Sequence, residues 1–369
     1  ESGTSSLPVF FDHNGDGLKD LLVSSQGQYN EITESQISKI SYYENIGTAD
    51  TPLFEFVTDD YEDLSTMGIG ESLVFYPSFA DLDGDGDEDM ILGEYIGYCY
   101  YLENTGGAGS PAIFNTFSIL LDNEGSAIFD GTYCYPHLID LDRDGDSDLV
   151  VGRRTGKLQY FENTGVGSYN FEFVTSNLGG VDVSGEGFIE GHAIPQFVDV
   201  DGEYHLLVGS KRGYVYYFDD IEDNLDGTFH LVDSVVDNIN IGTYSAPTVA
   251  NINDNNRLEM VLGNRRGGVV LYESAPTSNI GLESLDDSGD ILIYPNPAND
   301  NITIQLGALT VGELKMTTIL IYSVTGELLS TIQPKANTIS IDLRNYAKGT
   351  YLINVVDGEK STKKKLVIY

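Results

Sequence analysis

The chain has 369 residues, 41% of them apolar, and carries 58 Asp plus Glu against 19 Lys plus Arg, a formal net charge of −39. That length suits two or three domains, and that charge disfavours nucleic-acid binding, which runs on basic surfaces, while favouring cations or a salty exterior. The 24 Tyr and 16 Phe exclude the aromatic-poor composition of an acidic disordered chain.

No run of eighteen apolar residues occurs, so no membrane-spanning helix is expected. Residue 1 is Glu and no signal peptide precedes it, which reads as a mature form or a fragment. Charge divides the sequence: residues 290–369 hold 8 Lys/Arg and 7 Asp/Glu, leaving 11 and 51 for residues 1–289. We therefore read an acidic region over 1–275, a polar linker over 276–289 and a separate domain over 290–369.

The acidic region repeats. One unit reads Pro, an acidic loop, an apolar strand ending in Gly, a short turn, an aromatic strand and Glu-Asn-x-Gly. Loops start at Asp12, Asp81, Asp140, Asp199 and Asn251, each a few residues after Pro8, Pro77, Pro136, Pro195 and Pro247. Each unit supplies about four short strands, and four strands at this period suggest an all-β, propeller-like array of four-stranded blades. Tandem separate domains of this size would bury too little core alone. Five blades are visible. The fifth lacks a fourth strand and the chain begins directly on a first strand, so residues 1–275 are expected to be the C-terminal part of a larger propeller.

The loops carry metal-type chemistry. Loop one places side-chain oxygens at Asp12, Asn14, Asp16 and Asp20, with Gly17 at the sixth position and the carbonyl of Leu18 at the seventh. Loop two offers Asp81, Asp83, Asp85 and Asp89 with the carbonyl of Asp87, and loop three Asp140, Asp142, Asp144 and Asp148 with that of Asp146. Hard oxygens at alternate positions suit Ca2+, which takes 6–8 such ligands in flexible geometry, whereas Mg2+ demands a stricter octahedron. Three Ca2+ sites are expected, structural in role, since clustered carboxylates without an ion repel. They are not EF-hands, because position twelve is Val23, Leu92 or Val151 within an apolar strand rather than an acid. Loop four, Asp199-Val-Asp201-Gly202-Glu203, lacks the closing acid and is expected to hold no ion. In loop five, Asn251, Asn253, Asn255 and Glu259 keep the spacing with one charge, giving a weak or empty site.

These loops and repeats resemble the FG-GAP or VCBS repeats of integrin-type propellers over roughly residues 7–273. The resemblance implies calcium on one face of the disc and interaction surfaces on the other.

The turn between second and third strands holds Arg153 and Arg154 in unit three, Lys211 and Arg212 in unit four, and Arg265 and Arg266 in unit five. These are six of the region's 11 basic residues, and hairpin alternation puts them opposite the acidic loops. They form a candidate face for an anionic glycan or an acidic protein segment. Ordinary charged hairpin tips, or surface pairs worth little, are the other reading. Cys99 and Cys134 have no metal spacing, and an oxidised pair and two buried thiols both stay open.

Residues 290–369 show about seven β-runs: 291–294, 302–306, 317–322, 328–332, 339–343, 351–356 and 366–369, the pattern of a small Ig-like β-sandwich. Tyr294-Pro-Asn-Pro-Ala298, Ile321-Tyr-Ser-Val-Thr-Gly326, Lys348-Gly-Thr-Tyr351, Gly358 and Lys363-Lys-Lys-Leu-Val367 follow in order. Together they resemble the type A C-terminal sorting domain of the type IX secretion system of Bacteroidetes. The resemblance implies export through the type IX translocon, an outer-membrane shuttle protein, and removal by a sortase-like peptidase within about Ser274 to Asp290.

His13, His137, His192, His205 and His230 form no metal or triad spacing, and no nucleophile elbow, zinc-protease motif or phosphate loop appears. The expected protein is a non-enzymatic, secreted or surface-exposed calcium-binding propeller acting in adhesion or protein interaction. A glycan-binding lectin, or the accessory region of a polysaccharide-degrading enzyme, is the alternative.

Overall fold

The computed structural model describes residues 4–26, 29–30, 35–36, 38–69, 74–129, 131–165, 167–185, 187–222, 224–236, 239–253, 258–273, 291–294, 301–306, 317–323, 328–344, 346–357 and 360–368. The expected linker and cleavage region, and Asn255, lie outside them. The chain divides into two compact units, Glu1–Glu283 and Ser284–Tyr369.

In the first unit, strands β1 (Thr4–Phe11), β2 (Asp20–Gln26), β3 (Tyr29–Asn30), β4 (Ser35–Gln36), β5 (Lys39–Asn45) and β6 (Phe54–Thr58) open the chain. The sheet β1-β2-β5-β6 is blade one, with β3 and β4 a side hairpin. Blade two is β7 (Phe75–Ala80), β8 (Asp89–Glu94), β9 (Cys99–Leu102) and β10 (Ser118–Ile119). Blade three is β11 (Cys134–Ile139), β12 (Asp148–Arg153), β13 (Leu158–Asn163) and β14 (Phe171–Thr175). Blade four is β15 (Ile194–Val200), β16 (Glu203–Gly209), β17 (Val215–Asp219) and β18 (His230–Asp233), and blade five is β19 (Ala246–Ala250), β20 (Glu259–Gly263) and β21 (Val269–Glu273). All pairings within a blade are antiparallel.

Second strands are sandwiched between neighbouring blades, so they read as unbroken apolar runs rather than alternating ones: every residue of β8 is buried. First strands alternate, sending one side chain in two toward the ring axis.

Adjacent blades are joined by a repeated backbone clasp. In blades three, four and five the amide of the residue three before the proline donates to a carbonyl in the preceding blade's turn: Tyr133 to Tyr95 (2.9 Å), His192 to Arg154 (3.0 Å) and Tyr244 to Lys211 (3.1 Å). The next amide donates to the preceding carbonyl, as Ala193 to Arg153 and Ser245 to Ser210, both 3.0 Å. The same clasp joins blade one to blade five: Ser5 donates to Arg265 at 3.0 Å and Ser6 to Asn264 at 2.9 Å. Strand β1 packs on β19 and β20. Blade one and blade five of this chain therefore meet and the five blades close into a ring, where the sequence suggested an open arc.

Glycine makes this contact possible. A Cβ on Gly93, Gly152, Gly209 or Gly263 would meet the next blade's proline Cδ at 2.6 Å (Pro136) or 2.7 Å (Pro195, Pro247, Pro8). The repeated pairing of strand-end glycine with proline is thus an inter-blade contact. Cys99 on β9 and Cys134 on β11 are disulfide-bonded, settling the open alternative and tying blade two to blade three.

The second unit has sheets β22 (Ile291–Tyr294)–β23 (Asn301–Leu306)–β26 (Thr338–Asp342) and β25 (Leu328–Ile332)–β24 (Thr317–Ser323)–β27 (Gly349–Asp357)–β28 (Lys360–Ile368). Its core joins Ile302, Ile304, Leu306, Ile319, Ile321, Ile353 and Leu366. The last strand is longer than expected, so Lys363–Lys365 lie inside a paired strand, opposite Asn354–Leu352.

Gly263→Ala is expected to destabilise the protein by roughly 1–3 kcal/mol through overpacking, measured by urea unfolding; a silent substitution would mean that blades one and five do not meet.

Candidate metal-binding loops and the opposite face

Each loop leaves the end of an inner strand and returns into the second strand, so the loops share one face. Within each loop, side chains accept from amides two residues on, the Asx-turn habit of Asp and Asn. Asp83 Oδ1 accepts from the Asp85 amide and Asp85 Oδ1 from that of Asp87, both at 3.1 Å. In loop three, Asp142 accepts from Asp144 (3.1 Å) and Asp144 from Asp146 (3.2 Å). In loop one, Asn14 accepts from Asp16 (2.9 Å), Asp16 from Leu18 (2.8 Å), and Asp12 Oδ2 from Gly17 (2.8 Å). The sixth-position glycines have positive φ, 95° at Gly86 and 105° at Gly145, which a side chain would strain.

Carboxylate oxygens of Asp81, Asp83 and Asp85 lie within 4.8 Å of one another, as do those of Asp140, Asp142 and Asp144. Loop one differs because Asn14 donates Nδ2 to Asp16 and to Glu44, each at 3.1 Å.

Sequence reasoning missed the side chains at the seventh position. Asp87 and Asp146 each hold a buried Oδ1 with no hydrogen-bond partner, and so does Asp140. Burial, then the charges of Asp144, Asp142 and Asp140, push the Asp146 carboxyl up to about 6. A buried carboxylate oxygen without a donor is costly, so these residues fit a cation.

The ninth-position acids have another partner set. Asp148, fully buried, accepts from the Asn163 amide (2.7 Å), the Tyr160 hydroxyl (3.0 Å) and the Leu141 amide (3.0 Å). Asp20 does the same with Asn45, Tyr42 and His13 (2.7, 3.0 and 3.1 Å), and Asp89 with Asn104, Tyr101 and Leu82 (2.8, 3.1 and 3.3 Å). Burial pushes Asp148 up to about 7 and Asp89 to about 6 against these donors. The Glu-Asn-x-Gly repeat is explained here: Asn163 Oδ1 also accepts from the amides of Gly165 (3.1 Å) and Asn170 (2.8 Å). The hub joins loop, third strand and outer turn, so its acid has its lone pairs largely committed inside the blade.

Blade four lacks the loop. Val200 pairs with Glu203 across an Asp201-Gly202 turn with φ of 56° and 90°. Arg143, projecting from loop three, places Nη1 3.0 Å from Asp199 and Nη2 3.3 Å from Glu222, with its guanidinium 3.9 Å above Tyr204. An arginine supplies the positive charge at this loop. In blade five Glu259 is buried and accepts from the Ile252 amide (3.1 Å) and Asn253 Nδ2 (2.9 Å), while Asn253 Oδ1 has no partner. Asn251 is exposed at the end of β19.

The basic turns do share the face opposite the loops. Arg154 and Lys211 converge on Glu190, whose carboxyl they hold down at about 2. Arg212 lies 5.1 Å from the Tyr214 ring and Arg265 5.2 Å from that of Tyr244. Arg266 is exposed, and Arg153 is half-buried at the end of β12.

Residues 292–369 match the family described as Secretion system C-terminal sorting domain, and residues 11–92 match the FG-GAP-like repeat. No curated protein matches the chain. Among solved structures, it is similar to PorZ, described as an essential bacterial surface component of the type IX secretion system of Porphyromonas gingivalis. That match has 17% identity and a TM-score of 0.34, and covers 98% of this chain and 44% of that one. It is also similar to the GH32 beta-fructofuranosidase BmSUC1 of Bombyx mori, at 13% identity and TM-score 0.43, covering 100% and 86%. Latent PorU of P. gingivalis aligns at 10% identity and TM-score 0.19, covering 99% and 28%. The chain thus spans less than half the length of PorZ.

Two measurements probe the blades. Tyr160→Phe removes one donor from buried Asp148 and is expected to cost roughly 1.5–3 kcal/mol, read by urea unfolding. His137 lines the axial channel and accepts the Phe197 amide on Nε2 at 3.2 Å, and burial lowers its pKa to about 4. Its neutral form favours the fold, so stability is full above pH 6.5 and falls as pH drops toward 4, by up to about 3 kcal/mol. His137→Gln should flatten that part of the stability–pH curve.

The protein thus carries an FG-GAP-like repeat over residues 11–92 of its β-propeller and a type IX secretion C-terminal sorting domain over 292–369, which marks it for export across the outer membrane to the cell surface or beyond.

Proposed function

We propose that this protein is a calcium-stabilised recognition module, non-enzymatic, acting in adhesion or protein interaction outside the cell. The observation that carries the calcium reading is the set of buried, partnerless oxygens on Asp87, Asp140 and Asp146 beside carboxylate triads. Loops two and three bind Ca2+ through positions one, three and five, with Asp87 and Asp146 closing the shell; loop one binds through Asp12, Asn14 and Asp16. Flexible all-oxygen sets of this kind favour Ca2+ over Mg2+. The Asn-rich fifth loop is a weaker site.

Three of the five histidines each have a side-chain hydrogen-bond partner. His13 Nδ1 meets the Tyr61 hydroxyl (2.9 Å), His205 Nδ1 that of Tyr217 (2.7 Å), and His230 Nδ1 the Asp219 carboxylate (2.7 Å). Within the secretion pathway, the sorting domain would engage the translocon, the outer-membrane shuttle and a sortase-like peptidase that cuts between the two units.

Calcium at a hundred times its Kd adds about 2.7 kcal/mol per site, so the melting temperature should rise on adding Ca2+ and fall with a chelator. Combined Asp83→Asn and Asp142→Asn should remove most of that shift. A melting temperature indifferent to chelator would end the calcium reading.

A further inference from the structure

The mouth of the ring axis, on the face opposite the acidic loops, holds a blind cup of about 200 Å³. Its composition follows from the clasp. The residue one before the proline in blades one to four and the residue three before it in blades one, two, three and five line the cup, and three of the turns add one residue each. The floor is Leu7, Tyr76, Tyr135 and Ile194. The Tyr76 and Tyr135 rings meet edge-to-face at 4.4 Å and plug the channel. The wall is Ser5, Val74, Tyr133 and Tyr244, and the rim Gln26, Tyr95 and Arg265.

Four observations mark this cup as built. First, Tyr95, Tyr133, His192 and Tyr244 form a continuous edge-to-face chain, with centroids 4.7, 4.5 and 4.8 Å apart. His192 is buried behind them with Nδ1 2.9 Å from the Tyr135 hydroxyl, which fixes the floor. Second, Ser5, Tyr133, His192 and Tyr244 occupy equivalent positions in four blades and all have φ between 51° and 61°. That conformation is unfavourable for bulky residues and gathers at ligand clamps. Third, Ser6 borders the cup, is 1% exposed, and its Oγ has no hydrogen-bond partner. Fourth, in a chain of net charge −39, no carboxylate lines the cup among the described residues, and the one charged residue among them that does is Arg265. Unlike Arg154 and Lys211, Arg265 makes no ion pair among the described residues.

We infer that this cup binds a single acidic sugar residue, a pyranose bearing a carboxylate, as the terminal or exposed unit of a glycan. The phenol faces are electron-rich and attract the polarised C–H groups of a pyranose ring. The Tyr133 and Tyr244 hydroxyls lose water when the cup is covered, and a polyol supplies them with partners where a flat aromatic acid would leave them unpaired. Arg265 pairs with the carboxylate and repels the quaternary cations that an aromatic cage otherwise takes. The volume is below the range of drug-sized pockets, which restricts it to one ring. This inference deepens the recognition reading and is independent of the calcium loops.

The test is calorimetric titration of the full chain, in calcium, with the methyl glycosides of glucuronic and galacturonic acid, with methyl glucoside and methyl galactoside, and with 4-hydroxybenzoate. Saturable binding of an acidic glycoside at least tenfold tighter than its neutral counterpart is expected. Arg265→Gln should erase that preference, and Tyr244→Asn, whose new residue tolerates positive φ, should weaken both sugars at least tenfold. If Tyr244→Asn does not fold, saturation-transfer NMR on the unaltered chain must show the sugar ring protons against tyrosine. Absence of sugar binding, equal binding of 4-hydroxybenzoate, or an acid preference that survives Arg265→Gln overturns the proposal. A calcium-dependent melting shift with no sugar bound would remove the cup alone and leave the calcium reading standing.

Discussion

The propeller depends on the junction between blades, where an inner strand lays its first amides on the turn carbonyls of the blade before it. Backbone can approach that closely only because the second strand ends in glycine at four of the five junctions and the incoming proline fills the space a Cβ would take. Since the clasp recurs from blade five to blade one, the same contact that stacks blades also closes the ring. It fixes the height of every inner strand, and therefore which residues reach the axis. Tyrosines at the mouth, a tyrosine pair as the plug and His137 deeper in the channel are consequences of that register.

A second regularity acts within blades. The buried acid that ends each loop collects donors from the loop, the third strand and the Asn of the outer turn. It separates two jobs that look alike in sequence. The ninth-position Asp holds the blade together, while the exposed triads and the seventh-position Asp concentrate charge at the tip. Blade four shows an alternative way to settle such charge: Arg143 reaches from the neighbouring blade to Asp199 and Glu222. A guanidinium there, and proposed ions in loops one to three, are two solutions to the same electrostatic problem.

The two ends of the disc differ in chemistry. One face carries acidic tips, the other the basic turns, in which Glu190 neutralises Arg154 and Lys211. Arg265 is left facing an aromatic cup. The acidic loops and the basic, aromatic face are thereby separated by the length of the inner strands. The sorting domain is a further, self-contained unit with its own isoleucine-rich core.

Local spacing was enough to identify the loops, the repeat, the β-sandwich strands and the sorting motifs, because each is read from short patterns, recurring or in a fixed order, whose meaning is set by turn geometry and side-chain period. The number of blades in the ring was not legible: closure depends on Ser5 and Ser6 meeting Asn264 and Arg265, residues some 260 positions apart with no pattern that names the pairing. The Cys99–Cys134 bond was open for the same reason. Nor could spacing tell the committed Asp148 from the partnerless Asp146, two residues away, since burial and available donors are properties of the packed blade. The axial cup is the extreme case, assembled from residues of all five blades that only the closed ring brings together.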